Sequence, residues 1–130
     1  MILAFDTSIL IEIERGNKEI VKKLHELRKI YPMPVLLPFI SYYEFLKGLK
    51  IGKPKNYNEL MNFLRKFIFL QTTIITADIL SDLKIKYQKK GEDIPLVDLL
   101  IASQIIENHA LLVTRDKDFE KIEELKKIIF

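Results

Sequence analysis

A single acidic residue interrupts the most apolar stretch of the chain. Asp98 lies within residues 94–106, IPLVDLLIASQII, where the helical period is almost lost among apolar side chains. We therefore expect most faces of this helix to be buried, and Asp98 to lie too far inside it for an ordinary cap. An ionised carboxylate that is buried without a partner is strongly destabilising or changes its protonation state. The pattern predicts a compensating cation, either a basic side chain from elsewhere or a bound metal ion.

Three further acidic residues fall where they could converge on Asp98, although each also has an ordinary structural explanation. Asp6 follows the first apolar run and could cap the helix after it. Glu44 closes an S-x-x-E pattern, which on that segment alone favours a capping box. Asp116 could belong to a turn, and Asp118 could cap a final helix. Capping and metal binding by the same carboxylate do not exclude each other.

The composition restricts the chemistry that these acids could perform. The chain has 130 residues, of which 48% are hydrophobic and 30% charged, as expected for one globular domain over residues 1–130. It has no cysteine and only two histidines, which excludes thiolate catalysis and a multi-histidine zinc site. A metal ion would be held by oxygen atoms, which favours Mg²⁺ or Mn²⁺. The net charge of +3 tolerates an anionic partner such as nucleic acid.

Short apolar runs alternate with helical patterns along the chain. We predict strands over residues 2–5, 35–37, 67–70, 111–113 and 128–130. We predict helices over residues 7–14, 18–30, 41–49, 58–64, 77–90, 95–108 and 119–127. This alternation is typical of an α/β domain whose parallel sheet is covered on both faces.

In such a sheet, ligands bind beyond the carboxyl ends of the strands. Asp6 and Asp116 directly follow predicted strands, and Glu44 lies in the first turn of the helix after the second strand. Because the helix that carries Asp98 runs antiparallel to the strands, we expect its start at the opposite edge unless it is tilted. Periodicity alone therefore places three of these four carboxylates together.

Four segments together resemble the PIN-domain nucleases, and most closely the VapC-type toxins of type II toxin–antitoxin pairs. The matching segments are AFDTSIL at 4–10, SYYE at 41–44, IPLVDLLIA at 94–102 and LLVTRDKDF at 111–119. They occur in the order and at roughly the spacing of that family and span almost the whole chain, whereas residues 52–76 carry no diagnostic motif.

The resemblance implies a PIN-like fold, in which a five-stranded parallel sheet is sandwiched between helices and the helix of the third acid starts at the cleft. It also implies an acidic quartet that binds Mg²⁺ or Mn²⁺, formed by Asp6, Glu44, Asp98 and Asp116. Within that quartet we expect Asp6 and Asp98 to hold the principal ion. Around it we expect the supporting residues Ser8, Thr114 and Asp118.

The implied activity is hydrolysis of RNA phosphodiester bonds by a metal-activated water, which leaves a 3′-hydroxyl and a 5′-phosphate. The resemblance also implies a homodimer that a small VapB-type antitoxin silences by placing a basic or bulky segment in the acidic groove. We find no signal peptide and no run of transmembrane length, so we expect a cytoplasmic protein without a membrane partner.

The main alternative is a non-catalytic PIN-like module that binds RNA or protein. The complete quartet disfavours it, because a module that does not cut is free to lose these acids. A phospho-accepting receiver domain would need an acid after the third strand, and residues 67–75 contain none. A phosphatase with an aspartate nucleophile usually has D-x-D after the first strand, but Ser8 occupies the second acidic position.

Overall fold

The computed structural model describes residues 1–130 as five strands, six α-helices and one short 3₁₀ helix. The strands are β1 (Ile2–Phe5), β2 (Leu36–Pro38), β3 (Ile68–Leu70), β4 (Ala110–Thr114) and β5 (Lys127–Ile129). The α-helices are α1 (Thr7–Glu14), α2 (Lys18–Ile30), α3 (Phe39–Gly52), α4 (Tyr57–Leu64), α5 (Ile74–Lys89) and α6 (Leu96–Glu107). The 3₁₀ helix spans Lys117–Lys121.

The strands form one parallel sheet in the order β3-β2-β1-β4-β5, which confirms the predicted fold class. β1 is the central strand and pairs with β4 over its whole length, from Ile2 opposite Ala110 to Phe5 opposite Val113. The chain moves outward from β1 through β2 to β3 on one side, and then returns to β4 on the other. The carboxyl ends of β1 and β4 therefore flank the crevice where such sheets bind ligands.

Each face of the sheet carries its own buried core. Alternate residues of β1 point to opposite faces, so that Leu3 and Phe5 belong to one core and Ala4 to the other. The first core is covered by apolar residues of α1 to α4, and the second by those of α5, α6 and the 3₁₀ helix. Since both faces are buried, the strands are continuously apolar rather than alternating.

The helix α6 begins at the carboxyl edge of the sheet, as the resemblance implied, so the expectation from periodicity alone that it begins at the opposite edge was wrong. It ends at Glu107, and β4 begins only three residues later at Ala110. A helix that returns the chain to the start of a parallel strand must begin where the preceding strands end. Its antiparallel direction is thus the reason that Asp98 reaches the carboxyl edge.

Two other expectations for local structure were also wrong. The predicted helix over residues 119–127 is replaced by the 3₁₀ helix, a turn and β5. Phe119, Ile122 and Leu125 recur every third residue and are all buried, a spacing that suits 3₁₀ turns better than an α-helix. The predicted capping box at residues 41–44 is absent, because α3 begins at Phe39 after Pro38 and has no side-chain cap.

Candidate acidic site at the carboxyl edge of the sheet

Asp6 lies directly after β1 and is the buried member of the site, with 5% of its surface exposed. It caps α1 by accepting a hydrogen bond from the backbone N–H of Ile9 at 3.4 Å, as the sequence pattern had suggested. The hydroxyls of Ser8 and Thr114 donate to its two carboxylate oxygens. Burial raises the pKa of Asp6, and the hydrogen bonds from Ser8 and Thr114 oppose that shift.

Ser8 and Thr114 join the ends of β1 and β4 around this carboxylate. The Ser8 hydroxyl accepts a hydrogen bond from the backbone N–H of Arg115 at 2.9 Å. The Thr114 hydroxyl accepts one from the backbone N–H of Asp116, also at 2.9 Å. Each hydroxyl therefore donates to Asp6 and accepts from the segment that follows β4, which fixes the backbone there relative to β1.

Glu44 lies in α3 and is exposed. Since Ser41 is not the cap of α3, Glu44 is not occupied in a capping box, and the Ser41 hydroxyl has no hydrogen-bond partner. Instead, the Thr7 hydroxyl of α1 donates to Glu44 Oε1 at 3.1 Å. Sequence reasoning missed Thr7, although its position directly after Asp6, at the start of α1, was a signal that it faces the same edge.

Asp98 lies in the first turn of α6, after the cap residue Pro95. The prediction of a helix buried on most faces holds only beyond that turn, since Leu96 is 58% and Val97 44% exposed. The helix dipole also favours a carboxylate in this turn, so Asp98 is not as unusual as its sequence context indicated. Its pKa is nevertheless raised to about 6, first by burial and then by the neighbouring carboxylates, of which Asp116 acts most strongly.

Asp116 and Asp118 complete the acidic group. Asp116 caps the 3₁₀ helix by accepting a hydrogen bond from the Asp118 backbone N–H at 2.9 Å, so the expectation that Asp118 caps a helix was wrong. Carboxylate oxygens of Asp98, Asp116 and Asp118 lie within 4.8 Å of one another, a separation that a single cation could bridge. Asp118 thus lies beside the acids, where the resemblance implied a supporting residue.

A cleft of about 130 Å³ lies at the carboxyl edge of the sheet, and Asp118 is outside its lining. Its lining residues are Asp6, Thr7, Ser8, Glu44, Val97, Asp98, Ile101, Asp116 and Phe119. All four predicted acids are among them, and no basic side chain is. Oxygen atoms of carboxylates and hydroxyls are the ligands that hard divalent cations prefer, so the donor set suits Mg²⁺ or Mn²⁺.

The fold and this cleft together define a small α/β domain with an oxygen-rich, acidic site at the switch point of its sheet. The model of the PIN domain family matches residues 3–125, and the chain belongs to that family. A comparison with curated proteins found no match.

Solved structures with the same fold confirm the resemblance to VapBC proteins. A chain of VapBC2 from Rickettsia felis, solved with a DNA fragment from its promoter, is 25% identical with a TM-score of 0.81, covering 100% of this chain and 99% of that one. A chain of VapBC-1 from nontypeable Haemophilus influenzae is 23% identical with a TM-score of 0.80, covering 99% and 98%. A chain of FitAcB from Neisseria gonorrhoeae is 18% identical with a TM-score of 0.79, covering 98% and 96%.

None of the helices combines the length and the apolarity needed to cross a membrane.

Proposed function

We propose that the protein is a metal-dependent endoribonuclease and the toxin of a type II toxin–antitoxin pair, with its whole chain acting as one PIN domain. The observation that carries the proposal is the cleft itself, which gathers Asp6, Glu44, Asp98 and Asp116 without a basic side chain. Carboxylates this close together do not all stay ionised unless cations are present. Burial raises the pKa of Asp98 most, and the neighbouring carboxylates raise it further.

The residues of the cleft fit a divalent metal ion. Asp6 and Asp98 are proposed to hold the principal Mg²⁺ or Mn²⁺, and Asp116 completes the site, with Asp118 as a further ligand because of its distance to Asp98. When bound, such an ion neutralises the acids, polarises a phosphodiester and lowers the pKa of a bound water.

The protein's own groups prepare the site for that chemistry. The hydroxyls of Ser8 and Thr114 donate to both oxygens of Asp6, which fixes the orientation of its carboxylate. The Thr7 hydroxyl donates to Glu44 in the cleft wall, from where Glu44 can accept a proton from the attacking water. In-line attack on phosphorus would release a 3′-hydroxyl and leave a 5′-phosphate.

The proposed partner is a small VapB-type antitoxin, since similar chains come from structures of VapBC complexes. An antitoxin that places a basic segment over the cleft would compensate the acids as a metal ion does, and would thereby silence the enzyme. We further propose a homodimer in the cytoplasm. Co-expression with the antitoxin should yield a stable complex without nuclease activity, and isolation of a free monomer alone would count against this part.

The decisive experiment is cleavage of a labelled single-stranded RNA by antitoxin-free protein with Mg²⁺, Mn²⁺ or EDTA. We expect cleavage with either metal, none with EDTA, and none with Asp98→Asn. Asp82→Asn is the matched control, because Asp82 is exposed on α5 and does not line the cleft. If folded wild-type protein binds RNA but cuts none of it with either metal, the non-catalytic binding module replaces the proposal.

A further inference from the structure

Arg115 is a basic residue next to the acidic cleft, directly before Asp116 in the chain and hydrogen-bonded to Ser8 of the cleft wall. It follows Thr114 and precedes Asp116, and its own backbone N–H is bonded to the Ser8 hydroxyl at 2.9 Å. Its guanidinium group reaches Glu12 of α1, with Nη1 3.1 Å from Glu12 Oε1. Arg115 is therefore held at both of its ends by the same helix.

The two attachment points fix where the guanidinium group lies. Ser8 and Glu12 are four residues apart in α1, so they lie on one face of that helix, about 5–6 Å apart. Because Ser8 lines the acidic cleft, the guanidinium group lies about one helical turn from the cleft wall.

The ion pair is held more firmly than an ordinary surface pair. Only 14% of the Glu12 side chain is exposed, and its second carboxylate oxygen accepts a hydrogen bond from Asn17 Nδ2 at 2.7 Å. Arg15 also lies 4.0 Å from Glu12, so one carboxylate faces two guanidinium groups. This arrangement leaves an excess of positive charge beside a cleft that is otherwise acidic.

Arg115 also keeps donors free for a second partner. An arginine has five N–H donors in a planar fork, and Glu12 occupies Nη1 only. The Arg115 side chain is 41% exposed, so the remaining donors are accessible to solvent. A guanidinium fork is the group best matched to a phosphate, with which it forms paired, charge-assisted hydrogen bonds.

We propose that Arg115 binds an RNA phosphate next to the one at the acidic cleft, and that Glu12 competes with that phosphate for the guanidinium group. The proposal rests on the ribonuclease function proposed above. In a ribonuclease, the carboxylates of the cleft repel the phosphates of the RNA that has to enter it. A cation at the rim attracts the chain without neutralising the carboxylates that hold the metal ion.

The rival explanation is that the Arg115–Glu12 pair only fastens the segment after β4 to α1. The two explanations predict different changes in RNA affinity when the two partners of the ion pair are replaced one at a time. A fastening pair is broken equally by Arg115→Gln and Glu12→Gln, so both changes would weaken RNA binding alike. If Arg115 contacts RNA, Arg115→Gln weakens binding, whereas Glu12→Gln removes a repelling charge, frees the guanidinium group and strengthens binding.

The test measures binding of a labelled single-stranded RNA in Mg²⁺ between about 50 and 200 mM salt, a range in which lost phosphate contacts change the affinity clearly. All variants carry Asp98→Asn to prevent cleavage. We expect Arg115→Gln to raise Kd about tenfold and to reduce the slope of log Kd against log salt by about 0.7, the value for one phosphate contact of a single strand. Arg115→Lys should restore the slope.

Arg65→Gln is the matched control, because it removes the same charge from an exposed arginine that follows α4, away from the cleft. It should change neither Kd nor slope. An unchanged salt slope in Arg115→Gln, or equal weakening by Arg115→Gln and Glu12→Gln, would overturn the assignment. If wild-type protein cuts RNA in that case, only the role of Arg115 fails; if it neither binds nor cuts RNA, the proposed function fails as well.

Discussion

Carboxylates gather at two places in this protein, and only one of them contains the cations to balance the acids. The acidic cleft has four carboxylates and no basic residue in its wall. At the end of α5, in contrast, two lysines face two glutamates of the segment before β5. This second group, the α5 cluster, consists of Lys86, Tyr87, Lys90, Glu123 and Glu124.

The pKa values at the two places move in opposite directions. Burial and neighbouring acids raise the pKa of Asp98 to about 6. Hydrogen bonds from Lys90 and Lys86, at 2.9 and 3.0 Å, lower the pKa of Glu123 to about 2. The chemical group is the same, so the difference lies in the burial of Asp98 and in whether the fold supplies the opposite charge. Where it does, the charges join two segments of the fold; where it does not, the carboxyl group holds its proton more tightly, and the proposed metal ion would supply the missing charge.

The largest expected effect separates activity from stability. Asp98→Asn should reduce RNA cleavage at least about 100-fold, because loss of groups that merely support metal ligands already costs about 10–100-fold. Its melting temperature should stay equal or rise, since a repelling charge is removed. Glu124→Gln makes the corresponding change in the α5 cluster and should lower the melting temperature while cleavage stays at the wild-type rate. Loss of cleavage in both variants would abolish the contrast between the two places.

Tyr87→Phe tests how far the α5 cluster stabilises the fold. The Tyr87 hydroxyl donates to Glu124 at 2.6 Å and accepts from the Glu123 backbone N–H at 2.8 Å, while its ring is 1% exposed. Without the hydroxyl, the Glu124 carboxylate and the Glu123 N–H each lose a hydrogen bond. We therefore expect a loss of about 1–2 kcal/mol in the free energy of unfolding. Denaturant unfolding would measure it, with cleavage as the control. A loss of activity at equal stability would speak against a purely structural cluster.

The pH dependence of stability should also differ between the two places. Because the pKa of Asp98 is raised from 3.8 to about 6, the native chain binds this proton more tightly than the unfolded chain. Stability in EDTA should therefore rise as the pH falls from 7 toward 4, and Asp98→Asn should remove part of that rise.

The pKa of Glu123 is shifted in the opposite direction. Its pKa is lowered from 4.5 to about 2, so its contribution is present above pH 4.5 and is lost as the pH falls toward 2. Melting temperatures of the wild type, Asp98→Asn and Glu123→Gln at pH 7.5, 5.5 and 3 would separate the two carboxyls. If the difference between the wild type and Asp98→Asn does not shift in favour of the wild type as the pH falls from 7 to 4, the assigned direction for Asp98 is contradicted.

The smallest effect is expected for Lys90→Gln. Lys90 pairs with Glu123 at 2.9 Å, but both side chains are largely exposed, at 44% and 62%. Exposed pairs of this kind contribute about 0.2–1 kcal/mol, and salt should weaken this contribution further. Unfolding of the variant and the wild type should therefore converge at high salt. A larger loss that salt does not reduce would mean that the α5 cluster acts as a more strongly coupled network.

Much of the fold could be predicted from the sequence, because its signals are local. The bounds of α1 and α2 agree with prediction at both ends. Asp6 and Asn17 cap these helices with their own side chains, and Gly16 between them adopts the positive φ of 69° that glycine tolerates. The strands and helices were also recognisable from residues close together in the chain. Their alternation predicted the parallel sheet.

Local patterns failed where a neighbouring residue or a distant partner overrode them. The S-x-x-E pattern at residues 41–44 forms no capping box, because Pro38 ends β2 and starts α3 earlier. A capping box does form at Thr73, where Thr76 takes the place of the usual acidic residue and Glu107 from the end of α6 accepts from both hydroxyls. That partner is 34 residues away from Thr73 in the chain, so no short motif could reveal it.

The sequence by itself determined which acids are present, which elements carry them and that Asp6 lies at the end of a buried strand. Only the tertiary structure decided how close these acids come, with carboxylate oxygens of Asp98, Asp116 and Asp118 within 4.8 Å of one another, and that Thr7 rather than a cap holds Glu44. The physical reason is the separation along the chain between the interacting residues. Hydrogen bonds and periodicity within a few residues fix elements, whereas the repulsion between carboxylates and their distance from any cation depend on how those elements pack.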